Sequence, residues 1–144
     1  KNYRRSLDNK FQVINATAKA CNACSVACNI TYYRLNAFQV NGVKSWGWNC
    51  HFFGSFDVIV LVHGAAAANW FCLKSGSGVV EIGPIGPDRS MFGPLAAQLG
   101  LVRRYVQFQR GAHNFNGVVR PDTSLGRAIA EILMTRMQLS IQES

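Results

Sequence analysis

Three short stretches of this sequence hold the residue types that could do chemistry. The first is His63-Gly64-Ala65, which closes the apolar run DVIVLV (57–62). If that run is a buried strand, the tripeptide sits at its carboxyl end, where open α/β sheets bind their ligands. Gly64 has no side chain to obstruct backbone approach. A helix starting at Ala65 would turn unpaired N–H groups and its positive dipole end toward an anion such as a diphosphate. His63 offers a donor beside that anion. The structural alternatives are a plain packing turn at Gly64 and a histidine satisfied within the fold. The second stretch is VVEI (79–82), which carries Glu81, one of only seven acidic residues. A carboxylate at a strand's carboxyl end can accept hydrogen bonds from both hydroxyls of a ribose. A salt bridge to a neighbouring arginine is the equal alternative. The third is Cys21, Cys24 and Cys28 at C-x2-C-x3-C spacing, among five cysteines that include Cys50 and Cys72. This spacing leaves three readings open. One is structural zinc, for which a fourth ligand is wanting because Cys50 and His51 follow only after a long interval. The others are a disulfide, within the cluster or to a part of the protein outside this chain, and free, partly buried thiols.

The elements that must position these residues follow from hydrophobic periodicity. Asp8 can cap a helix over about 9–20, where Phe11, Ile14 and Ala18 recur at helical spacing. CNACSVACN (21–29) breaks that pattern and predicts a connection. ITYYRL (30–35) is rich in β-branched and aromatic residues and predicts a strand, and a second helix is expected over about 43–54. DVIVLV (57–62) is continuously apolar, as parallel strands buried on both faces are, and an alanine-rich helix follows it to about Leu73. A turn over 74–78 leads to the short buried strand VVEI (79–82). Gly83-Pro84 predicts a sharp turn that keeps the mouth of the site open, within the loop GPIGPDRS (83–90). MFGPLAAQLG (91–100) predicts a helix ending at Gly100, and VRRYVQF (102–108) a last strand. After a loop rich in Gly, His and Asn, Pro121-Asp122-Thr123 opens a final helix over about 124–138, with Ile129, Ile132, Leu133 and Met137 on one face. Helices alternating with short buried strands predict one α/β domain over 1–144, with a parallel sheet and helices on both faces. The first strand of such a domain is expected upstream of Arg4.

Composition fits a packed domain and narrows its partners. Forty-nine per cent hydrophobic residues and only 15% charged ones exclude disorder. No apolar run is long enough to span a bilayer, and Lys1 with the polar residues after it does not read as a signal peptide, so any targeting element is expected upstream. A net charge of +8 favours anionic partners, but the densest basic places are the pairs Arg4/Arg5 and Arg103/Arg104, which read as solvated surface. A nucleic-acid partner would call for a basic stripe interleaved with exposed aromatics, and none is visible. The triplets Asn15-Ala16-Thr17 and Asn29-Ile30-Thr31 are glycosylation sequons, consistent with a secretory address.

The residues around these stretches resemble a known family. VHGAAAANWFCLKSGSGVVEIGP (62–84) is similar to the signature of glycosyltransferase family 61, written H-G-A-G-L-T-N, a hydrophobic stretch, a P-G turn and V-I-E-I-x-P. Arg4-Arg5-Ser6-Leu7, followed by Asn9, resembles the family's S-R-R-x-x-N segment. Phe56-Asp57-Val58 resembles its A-D-V strand start, and LAAQLGL (95–101) its L-A-x-x-L-G-L helix. The match runs in unbroken order over roughly residues 4–106. Four places depart from the pattern. Ala66 stands for the second glycine, Trp48-Asn49 for an acidic-Gln pair, Ala67-Ala68 for Leu-Thr, and Ser75-Gly76 for the P-G turn, while Asn69 is kept.

The resemblance implies the C-terminal, Rossmann-like domain of a two-domain (GT-B) inverting enzyme of the Golgi or endoplasmic reticulum lumen. Such an enzyme transfers xylose, arabinofuranose or N-acetylglucosamine from a UDP-sugar to a glycoprotein or polysaccharide. It further implies that the acceptor-binding N-terminal domain and a single-pass membrane anchor lie upstream of Lys1. Carried over, His63, Gly64 and Ala65 meet the diphosphate, with Ala66 and Asn69 in the same donor-binding segment. Glu81 faces the ribose, and Arg4 or Arg5 neutralises phosphate charge as UDP leaves. No metal or other cofactor is expected, because arginine and a helix end do that work. No catalytic base stands out; His63 is a remote candidate and His113 a poorer one. By itself the chain is expected to bind a donor weakly and to catalyse nothing. The alternative is a non-catalytic, degenerate α/β domain serving in partner binding.

Overall fold

The computed structural model describes residues 6–7, 10–32, 46–84, 91–110, 116–118 and 124–142. Three parallel strands form its centre: β2 (Val58–Val62), β3 (Gly78–Pro84) and β4 (Val102–Arg110). Two short strands extend the β4 edge. β5 (Asn116–Val118) runs antiparallel to β4, and β1 (Ser6–Leu7) pairs parallel with β5, so the order is β1-β5-β4-β3-β2. Neither edge strand was expected, and β4 is not the last. Two or three residues carry too little alternation to be told from loop.

Helices cover both faces, as expected of an α/β fold. Alternation along the strands divides the side chains. Val80, Ile82 and Val106 face α1 (Lys10–Ala23) and α4 (Gly126–Gln142), and pack with Val13, Ala16, Ala20, Leu125, Ile129 and Ile132. Ile59, Val79 and Leu101 face the other way. They pack with Phe53 of α2 (Trp46–Phe53), Ala67 and Trp70 of a 3-10 helix (Ala65–Cys72), and Ala96 of α3 (Phe92–Gln98). Gly78 begins β3 because a Cβ there would collide with Ile132, and any larger residue would push α4 off the sheet.

Several local expectations are corrected. Phe11 is 70% exposed and Ile14 and Ala18 are only half-buried; α1 buries Val13, Ala16 and Ala20 instead. These smaller residues let α1 lie close against α4. The helix does not break at Cys21 but runs to Ala23 and closes with Ser25 at φ 55°. Ile30–Tyr32 of the expected strand have no regular structure, and 33–35 lie outside the described residues, as do 43–45 of the second helix. Met137 is 48% exposed. The apolar stripe of α4 ends at Leu133, after which the helix outruns the sheet. Arg136 instead reaches back to the sheet's amino-terminal end, donating to the carbonyls of Asp57 and Gly76 and to the Asp57 carboxylate, at 2.9, 2.8 and 2.8 Å. Pro121, Asp122 and Thr123, expected to open that helix, lie outside the described residues.

Four of the five cysteines are paired. Cys21–Cys28 closes the turn after α1, which realises the within-cluster disulfide and leaves Cys24 as a half-buried thiol. Cys50–Cys72, not expected from spacing, ties α2 to the end of the 3-10 helix. Gly54 sits in that junction, where a Cβ would crowd the carbonyls of Cys50 and Cys72 at 2.9 and 3.0 Å. The second bridge spans a sequence separation of 22. Its loop-closure entropy predicts that the Cys50→Ser/Cys72→Ser double variant loses about 3 kcal/mol, read as a lowered thermal midpoint. No helix among the described residues is long and apolar enough to cross a membrane.

Candidate functional site

The site forms where β2, β3 and β4 end together. β2 runs out at Val62, and the backbone N–H of His63 makes one last ladder bond to the Ile82 carbonyl at 2.7 Å. Gly64 then adopts φ 149°, ψ −157°, a conformation L side chains rarely enter, and the 3-10 helix begins at Ala65. Its first internal bond runs from the Ala67 N–H to the Gly64 carbonyl at 3.0 Å. The N–H groups of the preceding turn therefore have no intrahelical acceptor. The segment expected as an alanine-rich helix is a 3-10 helix of eight residues, ending at Cys72 before β3 begins at Gly78.

Strand register brings a charged triad to this end. Val79 pairs with Arg103 and Glu81 with Tyr105, so Glu81, Arg103 and Tyr105 share the face covered by the 3-10 helix and α3. Glu81 is fully buried. Its Oε1 lies 2.5 Å from His63 Nδ1, and its Oε2 accepts from Arg103 Nε at 2.8 Å and Nη2 at 2.5 Å. His63 keeps 30% of its side-chain surface exposed and Arg103 only 12%. Arg103 also lies over the Tyr105 ring, 5.4 Å from its centroid. The Phe92 ring stands edge-on to His63 at 5.4 Å and tilted to Trp70 at 5.5 Å, joining the site to the core behind it. The arrangement can hold a histidine firmly beside a backbone turn suited to an anion.

No family model, curated protein or solved structure matches this chain.

His63, Gly64 and Glu81 are brought together, with the backbone of Ala65 and Ala66 opening the helix and Asn69 half-buried further along it. Arg4, Arg5 and His113 lie outside the described residues. Of the two alternatives for Glu81, the ion pair is the one formed, and its carboxylate is closed off from solvent. Gly83-Pro84 does not turn. Both residues remain in β3, paired with Gln107 and Phe108, and a Cβ on Gly83 would collide with the Tyr105 ring and hydroxyl. Residues 85–90 of that loop lie outside the described residues.

Arg103 is the residue that sequence reasoning missed. Counted with Arg104, it passed for surface, but adjacent strand residues point to opposite faces. Arg104 does behave that way, pairing at 2.7 Å with Glu131, itself 47% exposed. The alternation V-R-R-Y-V-Q-F held the signal. One of two consecutive arginines on a central strand has to point inward, and a buried arginine needs an acid.

Proposed function

We propose that this chain is the UDP-sugar-binding, C-terminal half of a GT-B inverting glycosyltransferase that acts on glycoprotein or polysaccharide acceptors in the secretory pathway. The supporting observation is the turn at His63-Gly64. A glycine at φ 149° ends a parallel strand, and the first N–H groups of the 3-10 helix, which have no acceptor within that helix, follow it beside a histidine anchored on a buried carboxylate. Backbone donors at such a turn suit a diphosphate, and Arg4 or Arg5 adds positive charge for the departing UDP. The two disulfides agree with a lumenal address, since such bridges persist in oxidising compartments. In this assignment the acceptor and the catalytic base belong to the N-terminal domain, and the chain alone binds donor without turning it over.

Calorimetric titration of UDP, with ADP and GDP as controls, tests the proposal. UDP is expected to bind selectively. Gly64→Asp sets a carboxylate against the diphosphate and is expected to weaken binding ~100-fold or more, since opposed like charges cost several kcal/mol. Gly64→Ala adds backbone strain without charge and separates the two effects. Equal indifference to all three nucleotides in the folded chain would favour a non-catalytic domain that binds a partner.

A further inference from the structure

We propose that Arg103 is the positioning residue of this site: acting through Glu81, it fixes His63 as the Nδ1–H tautomer. Both Arg103 bonds to Oε2 are donations, because a guanidinium has donors only. The 2.5 Å contact between Oε1 and Nδ1 then has two possible hydrogen positions. A neutral Glu81 would donate its O–H to Nδ1 and leave the proton of the neutral ring on Nε2. An ionised Glu81 can only accept, which puts the proton on Nδ1. The guanidinium, forked onto the same buried carboxylate, decides for the ionised form.

The consequence reaches the ligand. With Nδ1 committed, Nε2 is the nitrogen that serves contacts beyond the triad. Within the donor-site proposal, that nitrogen is the one a phosphate would meet. The Phe92 edge at 5.4 Å restrains the same ring from the side. The link to phosphate rests on the donor-site proposal; the tautomer does not.

Nitrogen-15 spectroscopy of the histidine rings tests it, at a pH high enough that the His63 signals themselves report a neutral ring. The wild-type chain is expected to show His63 in the Nδ1–H form, together with an Arg103 Nε–H signal slow to exchange with water. Arg104→Gln, on the opposite face, should leave both unchanged. Arg103→Gln, if it keeps the wild-type amide spectrum, should shift His63 toward the Nε2–H form, because a buried carboxylate without its cation takes up a proton and becomes the donor. An Nε2–H or mixed His63 in the wild type would overturn the proposal, as would an unchanged His63 in folded Arg103→Gln. If that variant does not fold, the wild-type Arg103 signal decides. Exchange as fast as that of a solvated arginine rejects the role, and protection sustains it. UDP titration of the same samples keeps the two levels apart. Binding by the wild type that falls about tenfold or more in Arg103→Gln, the scale of one charged hydrogen bond, extends the relay to the nucleotide. An Nδ1–H His63 in a chain indifferent to UDP would uphold the relay and reject the donor site.

Discussion

Glu81→Ala is expected to destabilise the chain by about 3–5 kcal/mol, because it removes the buried carboxylate onto which the Arg103 guanidinium is forked. Arg103 exposes only 12% of its side chain and directs both of its described carboxylate bonds at Glu81. Urea unfolding should show the loss as a lower midpoint at unchanged slope. The pair itself is a weak source of stability, since desolvating two charges offsets most of their attraction. The double variant Glu81→Leu/Arg103→Met is therefore expected to recover most of what Glu81→Ala loses. If the triad serves ligand binding, that double variant folds well and binds poorly. A Glu81→Ala loss below about 1 kcal/mol would mean that the pair is solvated and behaves as a surface ion pair.

Trp70→Ala should cost a similar amount, about 3–5 kcal/mol, for a different reason. Trp70 is fully buried and fills the layer between the sheet and α3, alongside Phe53, Ala67, Val79 and Ala96. Truncating it opens a cavity lined by side chains that the Cys50–Cys72 bridge and the 3-10 helix hold in place, so little collapse can fill it. Its indole N–H is buried with no hydrogen-bond partner among the described residues. Trp70→Phe removes that unsatisfied donor along with some volume, and should cost much less than the alanine change. Comparable losses in the two variants would show that the indole N–H has a partner. The tilted Trp70–Phe92 contact and the Phe92–His63 contact behind it predict that Trp70→Ala also broadens the His63 ring signals.

What could be read from the sequence divides along physical lines. β2 and β3 were legible because VIVLV and VVEI are short, largely apolar and β-branched, as strands buried on both faces are. The end of α3 was legible from Gly100, which sits at φ 66° just past the helix. The faces of α1 and the far half of α4 were not. Helical spacing gives a period, whereas which face is buried depends on where the sheet ends and how near the neighbouring helix lies. In the site, His63 and Gly64 stood out because they interrupt an apolar run. Glu81 stood out through its rarity, but its partner did not, because the register of β3 against β4 is a tertiary fact. The Cys50–Cys72 bridge was hidden for the same reason, as it joins two helices whose approach the spacing does not encode.

The most direct test of the donor-site assignment is to add UDP to isotopically labelled chain and follow each backbone amide. The assignment predicts shifts concentrated at His63, Gly64, Ala65 and Ala66, saturating with UDP and absent with ADP or GDP. Shifts confined to other surfaces, or none at all in a chain whose spectrum shows it folded, would contradict it.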